Sequence, residues 1–208
     1  MQLLVIGASG RLGGAIVSEA LSRGHQVTAQ SRERRRVPAG ALPAVGQPGC
    51  PQLLAEIVPG HDAVVFAVGR DRDAPDTLLS DATRALIAAM PAAGPRRLVA
   101  ITGAPSDQIG SRSRWLPSRL LSPLFARPRH PDKDVQEDVI AASDLDWTII
   151  RPGPIADGPL PGGLHALWPV PPNVQVAGVT SAEVAQFALD AVEHRRWQRS
   201  RPLVGHFA

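Results

Sequence analysis

The chain has 208 residues, 44% of them hydrophobic and 20% charged, with one cysteine and no tyrosine. That is enough for one domain with a substantial core. It excludes an intramolecular disulfide at the lone Cys50, and no apolar run approaches the roughly 20 residues of a membrane span. A strand that starts at residue 2 leaves no place for a signal peptide before it, so the expected compartment is the cytoplasm.

The pI near 10.3 hints at a nucleic-acid binder, yet the net charge is only +3. Lys133 is the sole lysine, so the pI reflects arginines, which titrate very late. The one basic cluster, Arg32, Arg34, Arg35 and Arg36, is a small footprint for a duplex, which takes several dispersed phosphate contacts. The expected partner is a small molecule rather than nucleic acid or membrane, with the chain a monomer or small homo-oligomer.

The elements alternate. "QLLVIGA" reads as a short apolar strand. Residues 11–23 follow with Leu12, Ile16, Val17, Ala20 and Leu21 at helical spacing, and Gly24 serves as the stop. "HQVTAQS" is a second strand, "VPAGALPAVGQPGCP" a loop and "QLLAEIV" a short helix. "DAVVFAVG", apolar throughout, suits a buried parallel strand. Asp76–Met90 is helical, with Leu78, Ala82, Ala85, Leu86 and Ala89 on one face, and "RRLVAITG" is the next strand.

A proline- and arginine-rich stretch covers residues 105–131. A helix then spans Asp132–Ala142, bearing Val135, Val139 and Ala142, and "DWTIIRPG" is a strand. Thr180 and Glu183 have capping-box spacing ahead of a helix carrying Val184, Phe187, Ala188 and Ala191. "RPLVGHF" closes the sheet. Strands alternating with helices predict one α/β domain over 1–208. It is a Rossmann-type doubly wound, mostly parallel sheet with helices on both faces.

Gly7, Gly10 and Gly13 stand between the first strand and its helix. In that context a glycine triplet reads as a phosphate cradle. Gly7 permits a tight turn, Gly10 lets a diphosphate approach the backbone, and Gly13 allows close helix packing. The helix N-terminus offers N–H groups and partial positive charge. Ser9 adds a hydroxyl and Arg11 a cation. The end of the second strand, "QSRERRR", indicates which dinucleotide. Ser31 and Arg32 stand where an NAD site places a carboxylate, with Arg34 and Arg35 nearby. A guanidinium fork suits a 2′-phosphate. The expectation is therefore NADP(H) over NAD(H). The alternative is a solvated arginine loop with Glu33 as the ribose ligand.

The stretches "VIGASGRLGG", "GHDAVVFAVG", "RRLVAITG" and "ASDLDWTIIRPGPI" resemble, in order and spacing, the atypical short-chain dehydrogenase/reductases. The likeness is to the NAD(P)H-binding group that includes biliverdin reductase B (the flavin reductase) and the NmrA-like proteins, over about residues 2–206. The resemblance implies that Gly7, Ser9, Gly10, Arg11, Leu12 and Gly13 hold the diphosphate. It gives the adenosine phosphate to Ser31 and Arg32, and the cofactor cleft to Val68, Gly69 and Arg70. Thr102 falls beside the nicotinamide, and Pro152, Gly153, Pro154 and Ile155 near its carboxamide. Two positions depart from the family pattern. A "GD" pair is replaced by Gly46–Gln47, and in the Tyr-x-x-x-Lys signature Lys133 holds the lysine place while Arg129 takes that of the tyrosine.

Ketone reduction needs a positioned acid for the alkoxide, and guanidinium is a very poor one at neutral pH. A flavin, bilin or quinone spreads the incoming charge over its rings and can take its proton from solvent, so the protein supplies mainly positioning. The favoured reading is an NADPH-dependent reductase of such an acceptor. The alternatives are an NADP(H) sensor of NmrA-like type, and a biosynthetic isomerase or dehydratase.

Candidate catalytic groups are Thr102, Lys133 and His130. Lys133 either holds the nicotinamide ribose or pairs with Glu137 one turn on. Thr102 either bonds the nicotinamide or substrate, or bonds its own loop. Two long segments, 105–131 and 156–173, follow strand C-termini on the substrate side. They offer Trp115 and Trp168 as walls for an aromatic or conjugated substrate, with packing of a short helix as the other reading of Trp115. No metal site is expected, because the histidines lack ligand spacing.

Overall fold

The computed structural model describes every residue except 72, 91–93, 110–130, 159–162 and 208. Five helices alternate with the strands: α1 (Arg11–Ser22), α2 (Pro51–Ile57), α3 (Leu78–Ala89), α4 (Asp132–Ala141) and α5 (Ser181–Glu193). The strands are β1 (Gln2–Ile6), β2 (Gln26–Ser31), β3 (Leu42–Val45), β4 (Ala63–Phe66), β5 (Arg97–Ile101), β6 (Asp146–Pro152), β7 (Ile155–Ala156), β8 (His165–Leu167), β9 (Val176–Thr180) and β10 (Leu203–Phe207). They form one sheet in the order β3-β2-β1-β4-β5-β6-β10-β9-β7, with β8 pairing beside β10. Pairing from β3 through β6 to β10 is parallel, and β10 meets β8 and β9 antiparallel. The predicted doubly wound α/β architecture is the one observed.

Alternation along β1 shows why both faces are covered. Leu3 and Val5 join one apolar cluster with Leu12 and Ile16 of α1 and Ala188 of α5. Leu4 and Ile6 join the other, with Leu54 of α2, Leu86 of α3 and Ile140 of α4. A strand buried on both faces reads as a continuous apolar run, which is why β1 and β4 stand out in the sequence.

Two expectations need correction. The stretch taken as loop contains β3, which lies at the sheet edge with Leu42 65% exposed and only Ala44 buried. A short edge strand containing Pro43 carries little apolar signal. The C-terminal strand does not close the sheet but lies inside it, between β6 and β9. Helix α4 turns Gln136, Glu137 and Ile140 inward and leaves Val135 43% exposed. Polar partners rather than apolar area decide how that helix sits: Gln136 Nε2 donates to Thr83 Oγ1 of α3 at 3.1 Å.

The predicted capping box forms. Thr180 Oγ1 accepts from the Glu183 amide at 3.2 Å, and Glu183 accepts from the Thr180 amide at 2.8 Å. Helix α3 has no such side chain of its own. Its first amides are capped from α4, where buried Asp132 accepts from Leu79 N at 2.7 Å and Ser80 N at 3.2 Å. Removing that carboxylate strands two buried donors, so Asp132→Ala should lose about 1–3 kcal/mol, read as a lower urea midpoint at unchanged slope. Among the described residues no helix is long and apolar enough to cross a membrane.

Candidate functional site

The carboxyl ends of β1, β2, β4, β5 and β6 open onto one cavity of about 810 Å³. In open α/β sheets that is where ligands bind, at the point where strand order reverses. Here the chain winds outward from β1 to β2 and β3, then returns to β4 on the other side of β1. The loop leaving β1 therefore sits at the centre of the crevice.

The three glycines of that loop are required for three different reasons. Gly7 adopts φ +86°, and a Cβ there would lie 2.8 Å from Ala67 O and Val68 N at the end of β4. A Cβ on Gly13 would lie 2.2 Å from Gly7 O, so helix and loop can pack this closely only without one. Gly10 is different. Its φ is −74°, and a Cβ would meet nothing nearer than Gly7 O at 3.4 Å. The protein's own packing leaves room there, so the bare backbone serves whatever approaches from the cavity. Gly10 also precedes α1 as an N-cap without a side-chain acceptor, and the first turn of α1 holds no acidic residue. These features suit an anion at the helix N-terminus. Buried Gln30 fixes the loop: its Oε1 accepts from Gly7 N at 2.9 Å and its Nε2 donates to Gly46 O, so one amide ties β1, β2 and the end of β3 together.

Ser9, Arg11 and Leu12 also line the cavity, whereas Gly13 lies behind it. At the β2 end the lining residues are Ser31, Arg32 and Arg36. Ser31 is buried and its hydroxyl donates to Glu33 O at 2.9 Å, within its own turn. Arg35 is not among the lining residues; it bonds Glu33 at 2.7 Å and faces outward. The Arg35 guanidinium holds the exposed Glu33 carboxyl below the usual carboxylate range. Glu33 is likewise absent from the lining. Gln47, which replaces the acidic residue of the family's pair, is part of it.

Three lining arginines are each held by an aspartate. Arg11 pairs with Asp157 beyond β7, Arg32 with Asp71 at 2.6 Å, and Arg70 with Asp76. All three aspartates are well exposed.

The other half of the cavity is built by Val68 and Gly69 after β4, Thr102 after β5, and Pro152, Gly153, Pro154 and Ile155 at the end of β6 and beyond. Lys133 enters it from the first turn of α4 and donates to the Thr102 carbonyl. That places it at the cleft, beside Thr102. The Thr102 hydroxyl donates to Glu137 Oε1 at 2.7 Å rather than to its own loop. Buried Glu137 also faces Arg151, whose Nε lies 3.1 Å from both carboxylate oxygens, and Arg201 at 3.3 Å. Sequence spacing suggested this carboxylate only as a partner for Lys133, not for Thr102 and the two arginines. Its only sequence signal is position, one turn after Lys133 and facing the arginine of "TIIRPG". His130 and Trp115 lie outside the described residues. Trp168 is 43% exposed after β8 and is not among the lining residues.

The residues present therefore fit a nicotinamide dinucleotide: a glycine loop with room only where a diphosphate needs it, basic groups at the β2 end, and a polar floor at β5. The comparisons agree. The family model described as NAD(P)H-binding matches residues 7–195. YwnB of Bacillus subtilis, an uncharacterised protein, is 32% identical over 162 residues, covering 76% of this chain and 74% of that one. YhfK of the same organism, named as a sugar epimerase but uncharacterised, is 29% identical over 179 residues, covering 80% and 78%. Among solved structures the chain is similar to SP1627 of Streptococcus pneumoniae, a candidate NADH-flavin reductase. The TM-score is 0.72 and the identity 26%, with 99% of each chain covered. By its glycine loop, its sheet order and this match across nearly its whole length, the chain belongs to the NAD(P)H-binding family.

Proposed function

We propose that the protein is an NADPH-dependent reductase that passes hydride to a flat, conjugated acceptor of flavin, bilin or quinone type. The observation that carries this reading is the pairing of two features. The β2 end of the cleft offers Arg32 and Arg36 but no carboxylate from its own loop, and the chain holds no tyrosine to act as an acid at the other end. When bound, the dihydronicotinamide supplies the hydride. Gly7, Gly10 and the first amides of α1 hold the diphosphate, with Ser9 and Arg11 beside them. Arg32 and Arg36 hold the 2′-phosphate. Lys133 keeps positive charge at the β5 end, and Thr102 and Pro152 to Ile155 position the reacting ring against its acceptor. A conjugated acceptor delocalises the charge it receives, so positioning suffices where an alkoxide would need an acid. The likeness to SP1627 supports a flavin-type acceptor.

The relative named as a sugar epimerase supports a second reading, isomerisation with no net use of cofactor. One experiment separates the readings. NADPH and NADH consumption is followed by absorbance with riboflavin, menadione and biliverdin as acceptors. NADPH oxidation by at least one of them, faster than with NADH, is the expected result. Tight NADPH binding with no oxidation by any acceptor would sink the reductase and favour a sensor or isomerase.

A further inference from the structure

The sequence leaves the Thr102 hydroxyl free to act as donor or acceptor, and the structure removes that freedom. A hydroxyl has one proton and two lone pairs. Thr102 Oγ1 lies 2.7 Å from Glu137 Oε1, and a carboxylate only accepts. Glu137 is held as the carboxylate acceptor by Arg151 of β6 and by Arg201, just ahead of the neighbouring β10. Both are long-range contacts from β6 and from the segment leading into β10, so the fold rather than α4 alone sets the carboxylate's place. The Thr102 backbone is fixed as well: its amide donates to Ile150 O at 3.0 Å, and Lys133 donates to its carbonyl.

We propose that Glu137 is a positioning residue that locks the Thr102 hydroxyl as a hydrogen-bond acceptor, so that Thr102 reads an N–H group on the bound ligand. The inference rests on the nicotinamide-dinucleotide reading of the cleft and deepens it. The ligand chemistry is an amide-type N–H. Two sources can offer it: the carboxamide of the cofactor, or the imide or lactam N–H of a flavin- or bilin-like acceptor. A site built to accept from N–H discriminates against an analogue lacking it, because the acceptor is then left unpaired away from water.

The test compares matched ligands in two arms. The cofactor arm measures dissociation constants of NADP⁺ and its 3-acetylpyridine analogue, which has no amide N–H, by calorimetry. The acceptor arm measures KM and kcat for riboflavin and 3-methylriboflavin with NADPH. In the unaltered protein one arm should favour the N–H ligand by about tenfold, the worth of one good hydrogen bond. Whichever arm shows it identifies the source.

In Glu137→Gln the side-chain oxygen goes to the arginines and the amide NH₂ turns to Thr102. The hydroxyl proton then loses its acceptor and is free to turn into the cleft against an N–H donor, and the preference should fall to about twofold or less. Glu137→Asp keeps the charge opposite both arginines but draws back from Thr102, and should lose the preference in the same way should the glutamine variant not fold. Thr102→Val should lose it and Thr102→Ser should keep it. A purely structural role for Glu137 would weaken both ligands of a pair equally and leave the ratio intact. An unchanged ratio in the folded Glu137 variants, or no preference in either arm of the unaltered protein, overturns the proposal while leaving the cofactor reading standing. Failure of NADP⁺ itself to bind overturns both.

Discussion

Gly13→Ala should be strongly destabilised. The added methyl would lie 2.2 Å from Gly7 O and 2.9 Å from Ala8 Cα, backbone atoms of the loop itself. Flexible side chains yield to such crowding, but a loop anchored through Gly7 N to buried Gln30 has nowhere to go. Overpacking a well-filled site typically costs about 1–3 kcal/mol. Backbone against backbone at this distance belongs at or beyond the upper end, a fall in Tm on the order of 10 °C for a chain of this size. Gly10→Ala is the control. Its methyl meets only Gly7 O, at 3.4 Å, and alanine for glycine at an N-cap costs up to about 1 kcal/mol. The variant should melt within about 4 °C of the unaltered protein. Its affinity for NADPH should nonetheless fall about tenfold or more, since the methyl occupies the diphosphate's approach. A Gly10→Ala protein that binds NADPH normally would remove the diphosphate from this loop.

The second large effect concerns choice of cofactor. Arg32 lines the cleft from the end of β2 with its guanidinium on exposed Asp71. A charge-assisted hydrogen bond contributes about 1.5–3 kcal/mol. Arg32→Ala should therefore raise the Kd for NADPH by about 10- to 100-fold and leave NADH within about threefold. Titration by nicotinamide fluorescence reads both. Equal affinities in the unaltered protein, or an Arg32→Ala variant that still prefers NADPH, would return the site to the ribose hydroxyls. Arg36→Ala should give a smaller change in the same direction, and Arg35→Ala none, because Arg35 faces away from the cavity onto Glu33.

What the sequence revealed and what it hid divide along a physical line. β1 and β4 are buried on both faces, so their composition alone announces them. The glycine loop is legible because its constraint is local: φ at Gly7 and crowding at Gly13 arise within a few residues and one neighbouring strand. The capping box at Thr180 and Glu183 is equally local. β3 was hidden because an edge strand with an exposed leucine and a proline has no periodic signal.

The polar groups that shape the cleft are long-range and were hidden for the same reason. Gln30 reaches back 23 residues to Gly7, Glu137 reaches 35 to Thr102, and Asp132 reaches 53 to Leu79. Each looks like an ordinary surface residue until the sheet brings its partner alongside. The arginine cluster shows the intermediate case. Its charge was legible, but which member turns inward depends on the short 3₁₀ turn at Arg34–Arg36, and Arg36 rather than Arg35 takes that place.

The three arginine–aspartate pairs at the cleft bear on how a dinucleotide would be taken up. Because Arg11, Arg32 and Arg70 already have carboxylate companions, arriving phosphates would trade places with anions the protein carries itself. Uptake on these terms is a partner swap and not the neutralisation of bare cations. Its equilibrium should therefore respond only weakly to added salt, which screens the incoming and the outgoing attraction alike.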